Sequence, residues 1–510
     1  MEELSRRKFL KYSAGLTIGG IAVLSPISSQ AQQCEPPKWD ETVDVIIIGS
    51  GFAGLSAAIN LNRKNIGKIV VLEKMQVFGG NSAINGGWFA VPKNPIQLSQ
   101  GIKDDSPEEL VKDQIKSGRG MSNPEALLKV ANRALDSYNL CINSGVIFRK
   151  GFNIQVEGHS KARAIRTLNG TGGDITSRLY DVAKAEGLDM RLQQYVDDFI
   201  MEGNQIIGLK VINNYRYPDK STGTIRHIKA NKAVIVATGG YARNMELISI
   251  LDPSLDPKLD NTNAPGATGE VMLTAMSHGA LPVHLSKIQT GHWGSPDEGG
   301  FGWSNALLSI SLNEGAVVSV LDGKRFMDER ADRKACSDAI MKNRYKDGTP
   351  AYPIAFFSYS DHPDDDRVVR ALRDKMAWKF ESIEDLAKRF NIDPTALKNT
   401  IDLHNKSIEV GKDSLFNRKM DTAKLLKPPF VASRMWPKVH YCMGGLKTDP
   451  DARVLASTTL KPIINLYAIG EVTGGVHGEN RLSSTSCLEA LAMGFVVADT
   501  IQADSKKGVI

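Results

Sequence analysis

The chain has 510 residues, 42% hydrophobic and 24% charged, with 46 glycines and a formal charge of +6. That length exceeds one simple core, so two or three domains are expected. The charge is too mild for this size to argue for nucleic-acid binding and leaves only a weak preference for an acidic partner or anionic substrate.

The first residues read MEELSRRKFLKYSAGLTIGGIAVLSPISSQAQQ. Arg6 and Arg7 form a twin-arginine pair, a glycine-bearing apolar run follows from Ala14 to Ile27, and Ser29 and Ala31 offer small residues for cleavage. The run is short for a membrane-spanning helix. The expectation is a Tat signal peptide over residues 1–31 and export of the folded chain to the periplasm. There are five cysteines, Cys34, Cys141, Cys336, Cys442 and Cys487, with no C-x-x-C-H and no iron–sulfur or zinc spacing. Neither attached haem nor a metal site is expected, and the odd count argues against a disulfide framework.

From Val43 to Lys74 the chain reads VDVIIIGSGFAGLSAAINLNRKNIGKIVVLEK. A continuous apolar run predicts a buried parallel strand. Gly49, Gly51 and Gly54 form G-x-G-x-x-G at the turn into a small-residue helix, and a second apolar strand ends in Glu73. Gly49 permits the tight turn, Gly51 lets backbone approach a pyrophosphate at the helix N-terminus, and Gly54 lets the helix pack on the sheet. Glu73 would accept hydrogen bonds from a ribose, which argues against a 2′-phosphate. FGGNSAINGGWFA, Phe78 to Ala90, follows, its glycines implying backbone against something flat or bulky. A further apolar strand ends in Gly-Gly within KAVIVATGGYARN, Lys232 to Asn244. Residues from about 285 to 436 change to amphipathic helices and a hairpin-like GAVVSVLDGKRFM, which predicts an inserted domain. The C-terminus returns to a strand, INLYAIGE, and a loop feeding a final helix.

GSGFAG, GGNS, ATGGYARN, PGATGE, GKRFMDE, HYCMGG and AIGEVTGGVHGENRL together resemble the flavoprotein of fumarate reductase and succinate dehydrogenase, nearest its soluble periplasmic flavocytochrome c branch. The likeness covers nearly all of the chain beyond the signal. It implies an α/β fold: a Rossmann-like FAD-binding domain in two segments, 40–285 and 437–510, with an α+β capping domain at 286–436. It places Gly49, Gly51, Phe52, Ala53, Gly54, Glu73 and Lys74 on the ADP half of FAD. Gly79, Gly80, Asn81, Ser82, Gly86 and Gly87 lie along pyrophosphate and isoalloxazine. Thr238, Gly239 and Gly240 also contact the cofactor, as do Glu471 at the ribityl chain and Ser486 and Leu488 at the final helix. GGNSAINGG lacks the histidine of covalently flavinylated relatives, so non-covalent FAD is expected.

The resemblance further implies that His440 and Arg481 grip a substrate carboxylate, fixing an alkene for hydride transfer. The proton donor is an arginine after GKRF; Arg325, Arg330 and Arg333 are available, and spacing selects Arg333. The family's T-E-x-x-R segment, a second carboxylate contact and a proton relay, is here Leu308, Ser309 and Leu312. His292 is a candidate for the family's other substrate histidine. Asp297 and Glu298 are the nearby acids that could rebuild a relay, and Trp293, Phe301 and Trp303 could wall an apolar pocket. Ser483-Ser484 stands where relatives often have Gly-Gly.

With one carboxylate grip kept and the other lost, the expected activity is FAD-dependent reduction of the C=C bond of a monocarboxylic enoate of the acrylate, methacrylate, cinnamate or urocanate type. Electrons would come from a separate multihaem c-type cytochrome fed by membrane quinol, in anaerobic respiration. The alternatives are fumarate reduction with a rearranged cap, a dehydrogenase or oxidase running in reverse, and a flavin-bearing carrier without catalysis.

Overall fold

The computed structural model describes residues 37–510, so the twin-arginine segment and Cys34 lie outside the described residues. Strand β1 (Glu41–Ile48) is followed by helix α1 (Phe52–Arg63) and strand β2 (Ile69–Leu72). Strands β3 (Asp189–Arg191), β4 (Gln194–Glu202), β5 (Gln205–Asn213) and β6 (Thr224–Val236) join them in an eight-stranded sheet. Its centre is parallel, in the order Pro462–Ala468, β6, β1, β2, β3. β4 and β5 extend it as antiparallel ribbons beside β6. The unbroken apolar run of β1 has a direct cause. Val45 and Ile47 pack into one core while Ile46 and Ile48 pack into another on the opposite face, so neither face meets water.

Residues 316–434 build a second, four-stranded antiparallel sheet from Ala316–Val318, Ile354–Ser358, Phe430–Arg434 and Trp378–Phe380, with its own apolar clusters. Helix α2 (Ser304–Glu314) packs on it, and helix α3 (Arg333–Met341) packs on the strand Ile288–Gly291. The strand Ile288–Gly291 pairs antiparallel with Lys438–Cys442, tying the start of this region to the returning segment.

The last helix, α4 (Thr485–Lys506), is long and apolar enough to cross a membrane. Most of it is buried in the main core, packed on α1. Small residues permit that closeness: a Cβ on Gly494 would come within 2.4 Å of Ser56 Oγ, and Ser56 Oγ donates to the Leu491 carbonyl at 2.7 Å. The turn before α1 is tighter still. A Cβ on Gly54 would lie 2.0 Å from the Gly49 carbonyl oxygen, and Gly49 itself sits at φ +107°. Gly54→Ala should therefore lower stability by about 2–3 kcal/mol in a denaturant titration. Gly299→Ala, where a Cβ meets nothing within 4 Å, should change it by less than about 0.5 kcal/mol.

Candidate active site

A cavity of about 500 Å³ opens at the carboxyl ends of β1, β2 and β6, where ligands bind in sheets of this kind. Gly49, Gly51, Phe52, Ala53, Glu73 and Lys74 line one end of it. Gly79, Gly80, Asn81 and Ser82 continue the wall, with Thr238, Gly239, Glu471 and Ser486 opposite and Phe301 and His440 at the far end. Gly51 caps α1 without any side-chain cap, and Phe52 N–H is taken by Ser82 Oγ at 2.9 Å. The rest of that first turn is an anion-binding terminus. The Thr238 hydroxyl is buried without a partner. An elongated cleft, a bare helix N-terminus and an orphaned hydroxyl fit a dinucleotide such as FAD.

Glu73 has a structural duty the motif did not disclose. Its carboxylate accepts from Ser50 N (3.2 Å), Ser50 Oγ (2.6 Å) and Met75 N (2.9 Å), which locks the glycine turn to β2. Burial lifts the Glu471 carboxyl to about 7, so a protonated form able to donate is accessible at neutral pH. Five expected cofactor residues do not line the cavity; Gly54 faces the Gly49 carbonyl inside the turn. The Leu488 side chain is fully buried in the apolar core against α1. Gly87 is glycine because a Cβ would strike Thr167 Oγ1 at 2.2 Å, and Gly86 abuts Trp88. Gly240 backs onto the Glu471 side chain, which itself faces the cavity.

Beyond the cavity the structure brings Arg333 and Arg481 together. Arg333 begins α3, whose N-cap Asp332 accepts from Ala335 N at 3.0 Å. Both guanidiniums reach the same acceptor: Gln289 Oε1 lies 3.4 Å from Arg333 Nη1 and 3.1 Å from Arg481 Nη2. Gln289 is fixed in turn by donating to Asn480 Oδ1 and the Arg481 carbonyl. The Nε atoms of both arginines are buried and unpartnered. Arg325 and Arg330 are committed elsewhere, Arg325 to Glu329 and Asp413, Arg330 to Asp421. Burial, then the charge of Arg481, pushes Arg333 down to about 9.

The Arg481 guanidinium stacks 4.5 Å over the Tyr441 ring. Tyr441 OH donates to Glu489, which also holds His477 at 2.7 Å. His440 Nδ1 lies 2.7 Å from the Thr262 hydroxyl, and Trp293 meets its ring edge-on at 4.9 Å. Burial and both arginines push His440 well below its ordinary value, so it is neutral. His292 is fully buried with neither ring nitrogen partnered, and burial takes it down to about 4. It does not line the cavity.

The two acids proposed for a relay are both occupied. Asp297 pairs with Arg434, and Glu298 caps α2 by accepting from Trp303 N and Ser304 N at 2.6 and 2.7 Å. The acid beside Arg333 is Glu157, which also faces His292. Leu308 and Leu312 of α2 are buried in one apolar cluster with Trp293, and Ser309 Oγ donates to its own helix at Asn305. Trp293 and Phe301 wall the His440 corner, whereas Trp303 is 48% exposed under Arg370. Gln289, Thr262 and Glu157 were missed, because tertiary contact and not a local pattern brings them to the site.

Residues 44–487 match the family described as FAD binding domain. The chain is 40% identical over 97% of its length, and 98% of the relative's, to the acrylate reductase flavoprotein subunit of Shewanella woodyi. It is 30% identical over 96% of its length to the fumarate reductase (cytochrome) of Shewanella frigidimarina, covering 82% of that protein. The chain is a flavoprotein of the fumarate reductase family. Its fold matches the open conformation of a flavocytochrome c3 fumarate reductase at a TM-score of 0.73, with 26% identity, 91% of this chain and 79% of the other. The flavoprotein binds FAD and is an oxidoreductase acting on CH–CH bonds.

Three deeply buried histidines should make the flavoprotein acid-sensitive. His159, His292 and His404 are each taken by burial to about 4, from an ordinary 6.5. Between those limits the unfolded chain binds protons that the folded chain refuses. Their contribution is full above pH 6.5 and is lost as pH falls toward 4, by on the order of 1–3 kcal/mol each. Melting temperature should drop steadily from pH 6.5 to 4.5, and His404→Asn should flatten part of that slope.

Proposed function

We propose that this flavoprotein reduces the C=C bond of a small α,β-unsaturated monocarboxylate, with acrylate the first candidate. The observation that carries the reading is the pair of half-buried Arg333 and buried Arg481, both within 3.4 Å of one amide oxygen and each with a buried, unpartnered Nε. Two such cations in a low-dielectric corner favour an anion strongly. Arg481 and neutral His440 hold the substrate carboxylate, and Arg333 protonates the α-carbon. FAD, bound non-covalently, supplies the hydride that reaches the β-carbon. Residues 286–436 act as the cap that closes this corner from water.

The monocarboxylate preference is supported by α2. A second carboxylate near it would meet Leu308 and Leu312 instead of hydrogen-bond donors, a penalty of several kcal/mol for an unpaired buried charge. The acrylate reductase name of the 40%-identical relative supports the same choice. Export by the Tat pathway, and electron supply from a separate c-type multihaem cytochrome fed by quinol, belong to this proposal. They fit a chain whose described cysteines, Cys141, Cys336, Cys442 and Cys487, are buried and free.

The test is anaerobic reoxidation of the reduced protein by acrylate, methacrylate, cinnamate, urocanate and fumarate. Rapid turnover of a monocarboxylate with fumarate inert is the expected result; preference for fumarate overturns the reading of α2. Arg333→Ala should cut turnover at least about 10²-fold while FAD absorbance is retained. Turnover surviving in that variant removes Arg333 as the proton donor.

A further inference from the structure

We propose that Glu157 is the carboxylate that returns a proton to Arg333 after each turnover. The proposal rests on the enoate-reductase reading of the site. An arginine that protonates carbon must be recharged before it can act again, and α2 carries Ser309 and Leu312 where the family resemblance places relay groups. Asp297 and Glu298 are tied to Arg434 and to the α2 N-terminus. Asp332 caps α3 and pairs with Arg119.

Glu157 sits, half-buried, on the loop between the strands Phe148–Ile154 and Ala164–Thr167. The loop is pinned against the segment that carries Arg481. A Cβ on Gly158 would lie 2.7 Å from Leu482, and His159 Nε2 is 2.8 Å from the Ser483 carbonyl. His159 Nδ1 is 3.1 Å from Arg163 Nη1, and Arg163, fully buried, is clamped by Asp105 at 2.7 and 2.9 Å and by Asp113 at 2.5 Å. This chain of fixed groups keeps Glu157 at Ser483. The Ser483 hydroxyl accepts from Arg333 Nη2 at 3.0 Å and lies against the Glu157 carboxylate. Gln155, Gly158 and Ser160 on the same loop are exposed, which gives Glu157 a route to bulk water.

The proton balance closes. A hydride at the β-carbon and one proton from Arg333 at the α-carbon saturate the double bond and leave Arg333 neutral. Glu157, a carboxylate at rest, then takes a proton from water and passes it to Arg333, which restores the guanidinium and returns Glu157 to the carboxylate. The surrounding charges set the order of these steps. Arg333, His292, His159 and Cys336 face Glu157, while Arg481 faces Arg333 and Asp332 faces His292. Burial raises Glu157, but the charge of Arg333 outweighs it and holds the carboxyl below its usual range. When Arg333 loses its proton, the attraction vanishes and burial remains, so Glu157 gains proton affinity at the moment a proton is needed.

Glu157→Gln and Glu157→Asp decide the matter, measured with acrylate on the FAD-loaded protein across pH 5–9. Glu157→Gln should lose about 10²-fold or more in kcat, with KM and FAD content within twofold of wild type and one limb of the pH profile removed. Glu157→Asp should recover part of the rate and restore that limb. Infrared titration of the resting protein should show a carboxylate band that is missing from Glu157→Gln. A Glu157→Gln protein with wild-type kcat and pH profile overturns the proposal, and so does a loss confined to KM or FAD content. A wild-type protein inert toward every enoate overturns the reading of the site itself, a result visible before any variant is made.

Discussion

Two guanidinium groups held at one amide oxygen impose the hardest condition in this structure. Like charges at such a separation repel by several kcal/mol in a dry environment, and each has shed part of its hydration. The surroundings offset this piece by piece. Gln289 offers its oxygen to both, the Tyr441 face takes Arg481, and the Ser483 hydroxyl and Glu157 take Arg333. Behind them Glu489 fixes Tyr441 and His477. None of these contacts is local in sequence, so the cluster exists only when both segments of the large sheet and the intervening α3 are assembled.

The cofactor cleft and the arginine corner share a single piece of backbone. The loop that carries Arg481 and Ser483 runs directly into α4 through Ser484, which sits at φ +62° and whose carbonyl accepts from Ala90 N at 3.0 Å. Ser486 then lines the cavity. A displacement of α4 along α1 would move the wall of the cleft and the Arg481 guanidinium together. The tight packing of Gly494 on Ser56 therefore governs chemistry some distance from it.

The fold was legible wherever function is encoded locally. The run from Val43 to Lys74 specifies strand, turn, helix and acid by spacing alone, and the cleft forms around those residues. The family motifs brought in Arg333 from among three nearby arginines, and the other two proved to have buried or surface partners of their own. What could not be read was assembled by tertiary contact. Glu157 lies more than a hundred residues from both Arg333 and His292, on a loop without a motif. Asp297 and Glu298 were attractive because they are close in sequence, yet an ion pair and a helix cap already use them. Leu488 shows the converse: a residue next to a motif whose side chain simply faces the core.

The packing of α2 has a consequence for how this site could change. Leu308 and Leu312 share an apolar cluster with Trp293, and Trp293 in turn abuts His440. Replacing those leucines with a threonine and an arginine would not merely add hydrogen-bond donors. It would open a cavity, strand a cation inside it and release the indole that positions the histidine. If α2 sets the substrate as proposed, substrate choice is coupled to folding free energy. On the proposed reading of α2, a lineage moving between mono- and dicarboxylic substrates would have to cross a destabilised intermediate, or rebuild the tryptophan wall in the same step.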